Sequence, residues 1–529
     1  MPPRTLRALI LLAALVAGLF LRLRGLGDDF LFGDEHHSLF QKDRPYAEIL
    51  SDFDDRGSHA ALPALLRASA QVFGGGVLVY RLAALLPGLA SLLLVLAVAR
   101  RLVGANAAAL CTLALALSPV HVFYSRFSRG YALGAALTLA LVWCLLVRRE
   151  SPSSRRAPLG ALLAGALAPW VHLTNVASVT GAFAVAAFTD RGRWRSYALG
   201  LGGAGLVCAA LFWPAREPMR AYLTRIGSAE EVGPTGWLDV PAALMGGPLP
   251  GLVAVLALGP ALWVLGRGNR VKFLWLVAGI AAPLAFLLVS RPQGMVFAWT
   301  RYLFPALPFV WMVLAGAWVA ALRSEVLALG LGAAALVVAA WLGPLGPAEP
   351  EDGPFSMTYL AMSRLSAFDV PWTEASDYYE ALAADDEVEA IVECPELGNR
   401  AVLLYRNHYL RHGKRTLLGW SKEWPGLEGA PTLSSDLYVD LADPGFPGDV
   451  DADRFILHKN PGDEASRYWS FVFEEAWPAT RRWGDQGFML SQRRIPGRSR
   501  EVADLRAALL QRLGAPIFED DDLVVWRLR

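Results

Sequence analysis

The chain has 529 residues, 54% of them hydrophobic, with a mean hydropathy of +0.37. Only 18% are charged, against roughly 25% for soluble proteins, which excludes an ordinary soluble domain and points to an integral membrane protein. The net charge of +1 hides an asymmetry: residues 1–345 carry 29 Lys/Arg against 16 Asp/Glu, and residues 346–529 carry 20 against 32, so a basic membrane half precedes an acidic soluble half.

The hydropathy pattern predicts about eleven spans, each near the ~20 residues a bilayer needs. They cover 6–24, 78–99, 104–121, 130–147, 157–173, 174–189, 196–213, 248–266, 271–290, 302–322 and 325–343. The first resembles a signal peptide in charge and length. Apolar segments recur after it and no small-residue cleavage site precedes Asp28, so it reads as a spanning helix. The pair 157–173 and 174–189 is short and is interrupted by Pro169, His172 and Asn175.

Lys and Arg set the orientation. Arg4 and Arg7 precede the first span. Further basic clusters lie at alternate connections: Arg100-Arg101, Arg148-Arg149 with Arg155-Arg156, Arg191/Arg193/Arg195, Arg267/Arg270/Lys272 and Arg323. Eleven spans put all of these on the side of the N-terminus, which is therefore expected to be cytoplasmic, with the tail outside. Arg22 and Arg24 go against the rule. They are expected either to snorkel to headgroups or to meet a ligand phosphate.

The outer side then carries residues 27–77, a corner near 122–130, and segments 214–247 and 291–301. Within the first, Arg44 to Leu50 and His59 to Phe73 read as helices lying in the interface. The same segment holds Gly33-Asp34-Glu35-His36-His37 just beyond the first span. A carboxylate there can take a proton from a hydroxyl, hold a cation, or simply face water. His121 and His172, near helix ends, read as satisfied polar residues.

Pro344, Pro347, Pro350 and Pro354 mark the boundary to the tail. The expected domains are 1–345 in the membrane, a Pro-rich linker over 346–354, and an extracytoplasmic α/β domain over 355–529. In that domain Tyr378 to Ala384, Ala401 to His412 and Val502 to Leu513 read as helix. Val388 to Val392, Arg415 to Leu418, Phe455 to His458 and Leu523 to Leu528 read as strand. It carries no Gly-rich phosphate loop, no HExxH and no nucleophile elbow. Trp372, Tyr378, Tyr379, Tyr405 and Trp420 are aromatics suited either to stacking on sugars or to core packing. Of the four cysteines, Cys111, Cys144 and Cys208 lie in apolar runs and Cys394 stands alone in the tail, so no disulfide framework is indicated.

Several stretches together resemble the GT-C glycosyltransferases, in the bacterial branch related to protein O-mannosyltransferases and the lipid A aminoarabinose transferase. They are Leu21-Arg22-Leu23-Arg24-Gly25-Leu26 followed by Asp34-Glu35, then Tyr80-Arg81-Leu82 through Arg100-Arg101-Leu102. The corner Ser125-Arg126-Phe127-Ser128-Arg129-Gly130-Tyr131-Ala132-Leu133 and the late element Arg301-Tyr302-Leu303-Phe304-Pro305 complete the set. Near Ser58 to Pro63, where that family commonly has His-Pro-Pro or Lys-Pro, only His59 and Pro63 remain.

The resemblance implies a polytopic helical membrane protein that moves a sugar, with inversion, from a polyprenyl-phosphate donor to an extracytoplasmic glycolipid, polysaccharide or protein. Asp34 is the expected base, and Glu35 binds a cation or the acceptor. Arg129 and Arg301, with Tyr131 and Tyr302 orienting them, are expected on the donor phosphate, because a guanidinium is a planar, permanently charged fork. The competing reading for them is a snorkelling arginine and a tyrosine of the interfacial belt. His59 is a further substrate-binding candidate. Glu35, His36, His37 and His59 are the candidates for a divalent metal ion, although their spacing fits no defined metal motif. A transporter or flippase of lipid-linked sugars is the alternative, and a glycan polymerase or ligase a third. A transporter would place ionisable groups in mid-membrane rather than in outer loops. The sequence leaves the sugar, the acceptor and the lipid length open.

Reporter fusions after Arg193, Arg323 and Leu528 test the orientation. A cytoplasmic signal is expected at the first two and an external one at Leu528. A cytoplasmic signal at Leu528 would overturn the topology.

Overall fold

In the computed structural model the described residues are 2–24, 26, 34–53, 60–226, 239–246, 248–290, 296–342, 345, 376–394, 408, 411–420, 438–441, 445–460 and 499–529. The chain divides into two compact units. One holds Met1–Gly27, His37–Gly74 and Leu78–Ala367; the other holds Asp28–His36, Gly75–Val77 and Phe368–Arg529. The expected linker over 346–354 lies outside the described residues.

Each of the eleven expected spans corresponds to helix. After α1 (Pro3–Leu23) come three short helices, α2 (Asp34–Gln41), α3 (Tyr46–Ser51) and α4 (Ala61–Phe73). A longer run follows: α5 (Val77–Leu102), α6 (Ala105–Ala116), α7 (Pro119–Arg126), α8 (Tyr131–Glu150), α9 (Arg156–Val171), α10 (Asn175–Thr189) and α11 (Trp194–Phe212). Then α12 (Arg216–Ile226) and α13 (Asp239–Met245) precede α14 (Pro248–Gly268), α15 (Arg270–Ser290), α16 (Val296–Leu303), α17 (Leu307–Ala321) and α18 (Glu325–Leu342). Among the described residues eight helices are long and apolar enough to cross a membrane, or nine if the bent pair α6–α7 is one span. The other two expected spans are α9 and α10, of 16 and 15 residues. His172, extended at φ −155° and ψ 117°, separates them and shortens both. Large apolar side chains stand exposed on the outside of the bundle, Leu199, Leu206 and Val289 among them. That is the surface lipid requires and water would not tolerate.

Several of the basic helix ends meet. Arg101 Nε lies 3.1 Å from Glu150 Oε2, Arg193 donates to the Arg148 carbonyl at 3.2 Å, and Arg7 donates to Asn106 Oδ1 at 3.2 Å. At the other end α4 is latched to the preceding loop. Arg67 Nη1 donates to the carbonyls of Lys42 (3.0 Å) and Arg44 (2.7 Å), and its guanidinium lies over the Tyr46 ring.

The break between α6 and α7 fixes the corner that follows it. Pro119 disfavours helix at the residue before it, and Ser118 is accordingly extended at φ −71°, ψ 118°. The two helices meet at 60°. Breaking a helix exposes its last carbonyls, and here Arg22 takes them. Its Nη1 donates to the Ala116 and Gly18 carbonyls (3.2 and 2.8 Å) and its Nη2 to the Leu115 carbonyl (3.3 Å). Nη2 also lies 2.7 Å from His121 Nδ1, and Nε 3.2 Å from Ser125 Oγ. Because arginine only donates, His121 Nδ1 is the acceptor and the ring proton sits on Nε2. Arg22 is fully buried, so it neither snorkels nor stands free for a phosphate, contrary to both expectations. Its charge instead meets the negative end of the α6 dipole. Arg24, beyond the helix, is exposed.

Among the described residues the second unit holds a six-stranded sheet of order β3-β2-β1-β4-β6-β5. Its strands are β1 (Ala390–Cys394), β2 (Arg415–Trp420), β3 (Tyr438–Asp440), β4 (Arg454–His458), β5 (Phe518–Glu519) and β6 (Leu523–Arg527). Strands β3, β2, β1 and β4 are parallel, and β6 runs antiparallel to β4. Among the described residues, helices α19 (Tyr378–Ala384) and α20 (Ser499–Leu513) flank the sheet. Leu382 of α19 packs with Ile391, Ile456 and Val525 on one face; Val502 and Leu509 of α20 pack with Val392, Phe455 and Trp526 on the other. Tyr379 is buried and Tyr378 stacks on Phe518 at 4.9 Å, so both serve the core. Trp372, Tyr405 and the Trp420 side chain lie outside the described residues.

Close packing against the corner yields a stability test. A Cβ on Gly88 of α5 would sit 2.3 Å from Ser125 Oγ and 3.0 Å from the Ser125 Cα. Gly88→Ala is expected to lose about 1–3 kcal/mol. Gly330→Ala in α18, which meets nothing within 4 Å, is expected to be neutral or slightly stabilising. Thermal unfolding of the detergent-solubilised protein checks this, and equal behaviour of the two variants would contradict the packing.

Candidate functional site

The corner held by Arg22 carries the candidate residues onward. Arg126, at the end of α7, donates to the Leu21 carbonyl at 3.4 Å, and Ser128 Oγ to the Tyr80 carbonyl at 3.0 Å. Arg81 donates to the Leu26 carbonyl at 3.0 Å, and Lys42 Nζ lies 5.2 Å from the centre of the Tyr80 ring. Arg129 is buried in this corner, two residues before α8 begins at Tyr131. The turn requires Gly130: a Cβ there would lie 3.0 Å from the Val171 carbonyl oxygen of α9.

Three helix breaks bring the remaining side chains to one place. Tyr131 opens α8. His172 sits at the α9–α10 break, its Nδ1 2.7 Å from Thr174 Oγ1. Arg301 and Tyr302 end α16, just before the 3-10 turn Phe304–Ala306 that leads into α17. His172 lies between two rings, 5.0 Å from Tyr131 and 5.5 Å from Tyr302. Tyr124 meets both Tyr131 and Phe304 edge-on at 5.0 Å. Arg301 lies over this aromatic group, 5.0 Å from the Tyr302 ring and 6.0 Å from that of Tyr131, and its Nη2 donates to the Tyr302 hydroxyl at 3.2 Å. A guanidinium held by ring faces stays charged, since the contact uses its π surface. Arg301 is half-buried, so it can meet a ligand anion.

The sequence-stated candidates are thus partly assembled. Tyr131, Arg301 and Tyr302 come together, and Arg129 lies in the adjoining turn. Asp34 is the first residue of α2, and Glu35, the second, is fully buried rather than a solvated loop acid. The side chains of Asp34, His36 and His37, and the whole of His59, lie outside the described residues. Among the described residues no group of three or more His, Cys, Asp or Glu is placed to hold a metal ion. Sequence reasoning passed over His172 as an ordinary polar residue. Its signal was present: a histidine between Pro169 and Asn175 that breaks an apolar pattern needs a reason.

Comparison with protein-family models gives no match, and comparison with curated proteins gives none. Solved structures do match. The crystal structure of ArnT from Cupriavidus metallidurans bound to undecaprenyl phosphate is 14% identical, covers 99% of this chain and 98% of its own, and superposes with a TM-score of 0.59. The same protein in the apo state gives 15% identity, 99% and 97% coverage and a TM-score of 0.57. The archaeal oligosaccharyltransferase AglB from Archaeoglobus fulgidus, in complex with an inhibitory peptide and a dolichol-phosphate, aligns more weakly, at 12% identity, 89% and 71% coverage and a TM-score of 0.44. The chain therefore has the GT-C fold that its sequence resembles, a polytopic helical membrane domain followed by an α/β domain, shared with ArnT over its whole length.

Proposed function

We propose that this chain is a membrane glycosyltransferase that moves a sugar from a polyprenyl-phosphate donor to an acceptor outside the cytoplasm. The observation that carries the reading is Arg301, held by Tyr302 and by Tyr131, which follows Arg129 by two residues. Its chemistry is that of a lipid-phosphate site: fixed guanidinium donors at a membrane surface, in a fold that ArnT uses with undecaprenyl phosphate bound.

The transfer follows from that chemistry. Asp34 takes the proton of the acceptor hydroxyl. The freed oxygen attacks the anomeric carbon as the bond to the phosphate oxygen breaks, and the electron pair leaves with the phosphate. Attack from the face opposite the leaving group inverts the configuration. Arg129 and Arg301 hold the charge that develops on the leaving phosphate, where preorganised donors act most strongly. Glu35 binds the acceptor or a cation. The α/β tail shapes access for the acceptor and carries none of the chemistry. The protein sits in the inner membrane with its N-terminus in the cytoplasm.

Mass spectrometry of cell-envelope glycolipids and glycoproteins, with and without the protein, identifies the product: one glycoform is expected to vanish on deletion. An unchanged glycan profile would count against the reading. Asp34→Asn keeps the shape and removes the base, so transfer is expected to fall roughly 10²–10⁴-fold in a protein that still inserts and folds. Turnover near that of the parent would transfer the role to Glu35.

Arg129→Lys and Arg301→Lys replace a fork with a point charge. Each is expected to weaken binding of a polyprenyl-phosphate lipid about tenfold, a loss of ~1.4 kcal/mol. Unchanged affinity in both would make these arginines structural.

A further inference from the structure

One end of the tail sheet buries a cluster of ionisable groups. The chain leaves β1 toward β2 and β3, then returns to lay β4 on the other side of β1. In open α/β sheets this reversal, beyond the carboxyl ends of the strands, is where functional groups collect. Glu393 is next to last in β1 and His458 is last in β4, and both are fully buried. They share the face covered by α19. The opposite face of the same strands is apolar, with Val392, Cys394, Phe455 and Leu457.

The side chains around them form one cluster. Tyr379 of α19 donates its hydroxyl to Glu393 Oε1 at 2.5 Å and lies 3.3 Å from His458 Nε2. That nitrogen is 3.7 Å from the same carboxylate oxygen. His408 stacks on the Tyr379 ring at 4.4 Å and 8°, and faces His458 at 6.0 Å. His412, four residues on, lies 5.5 Å from the Tyr379 ring. None of the five is more than 4% exposed. The charged groups nearby are Arg411, whose charge acts on His408, and Lys414, whose charge acts on His412 and whose N–H donates to His412 Nδ1 at 3.0 Å. At the far end of α19, Arg454 pairs with Asp385 at 3.3 Å. Among the described residues, an added proton therefore meets a carboxylate, two other imidazoles and two cations.

We propose that this cluster is a proton-operated latch, closed with His408 and His412 neutral, whose protonation frees α19 and these two side chains from the ends of β1 and β4. Burial first, then the neighbouring His458, His412 and Arg411, holds His408 well below the ordinary histidine value. Burial first, then Lys414, lowers His412 from 6.5 to about 3. Because the closed-state values are depressed, the closed form keeps its full advantage above pH 6.5 and loses it as pH falls toward 3. A group titrating at about 3 when closed and 6.5 when open shifts the balance toward opening about 30-fold between pH 8 and pH 5. His408 adds a factor in the same direction.

Hydrogen–deuterium exchange of the full-length protein in detergent, at pH values from 7.5 to 5.0 and corrected for intrinsic rates, tests the latch. Peptides covering 378–394 and 454–458 are expected to open at least 30-fold more at pH 5, with a slope exceeding one decade per pH unit below 6.5. Peptides from α6 should not change. In the double variant His408→Phe/His412→Leu, which keeps packing and removes two titrating rings, the tail is expected to stay protected at pH 5. No added opening in the parent protein, or added opening that persists in the double variant, would overturn the proposal. If the variant already exchanges fast at pH 7.5, the slope of the parent decides: a steep slope upholds the latch and a flat one removes it.

Discussion

The membrane unit depends on one buried contact, the guanidinium of Arg22 against the open end of α6. A helix broken inside a bilayer leaves carbonyls that neither water nor lipid can satisfy. Arg22 satisfies two of them, ties α1 to the break and binds both His121 and Ser125 on the far side of it. Hydrogen bonds to a charged donor contribute about 1.5–3 kcal/mol each, and removing one partner of a buried charged group costs more than the pair contributes, because the other is stranded. The contact thus stabilises the 60° bend that Pro119 introduces. The bend in turn delivers Arg126, Ser128 and Arg129 to the corner beyond it.

The same device recurs at the candidate site. Breaks after α6, α9 and α16 each carry a proline nearby: Pro119, Pro169 and Pro305. These breaks bring in Tyr124 of α7, His172 and Tyr302, which meet around Tyr131. Irregular backbone at membrane depth is tolerated where protein covers it. The spans form the scaffold, and their interruptions form the site. Arg301 rests on that aromatic floor, with its orientation set by the Tyr302 hydroxyl. A lysine in its place would keep the charge and lose the planar surface that the rings hold.

Much of this was legible in the chain because membrane helices announce themselves by composition. All eleven expected spans correspond to helices, and Tyr131, Arg301 and Tyr302 were named from short motifs before their proximity was visible. What pattern could not show was the third dimension. Arg22 read as a snorkelling or phosphate-binding residue, since nothing local reveals that α6 ends beside it. His172 read as an ordinary polar residue, since its two tyrosine neighbours lie 41 residues before it and 130 after it. In the tail the principal strands were legible from β-branched runs, whereas the two- and three-residue strands β5 and β3 were too short to show a period. Glu393 and His458 belong to strands 60 residues apart in the chain, so their shared burial follows from the strand order alone.

The central claim is that the outer corner recognises a lipid phosphate. Native mass spectrometry of the purified protein, offered equal amounts of undecaprenyl phosphate and undecaprenol, tests it most directly. Preferential retention of the phosphorylated lipid, abolished in the Arg129→Lys/Arg301→Lys protein, is the predicted result. Equal retention of the two lipids would contradict it.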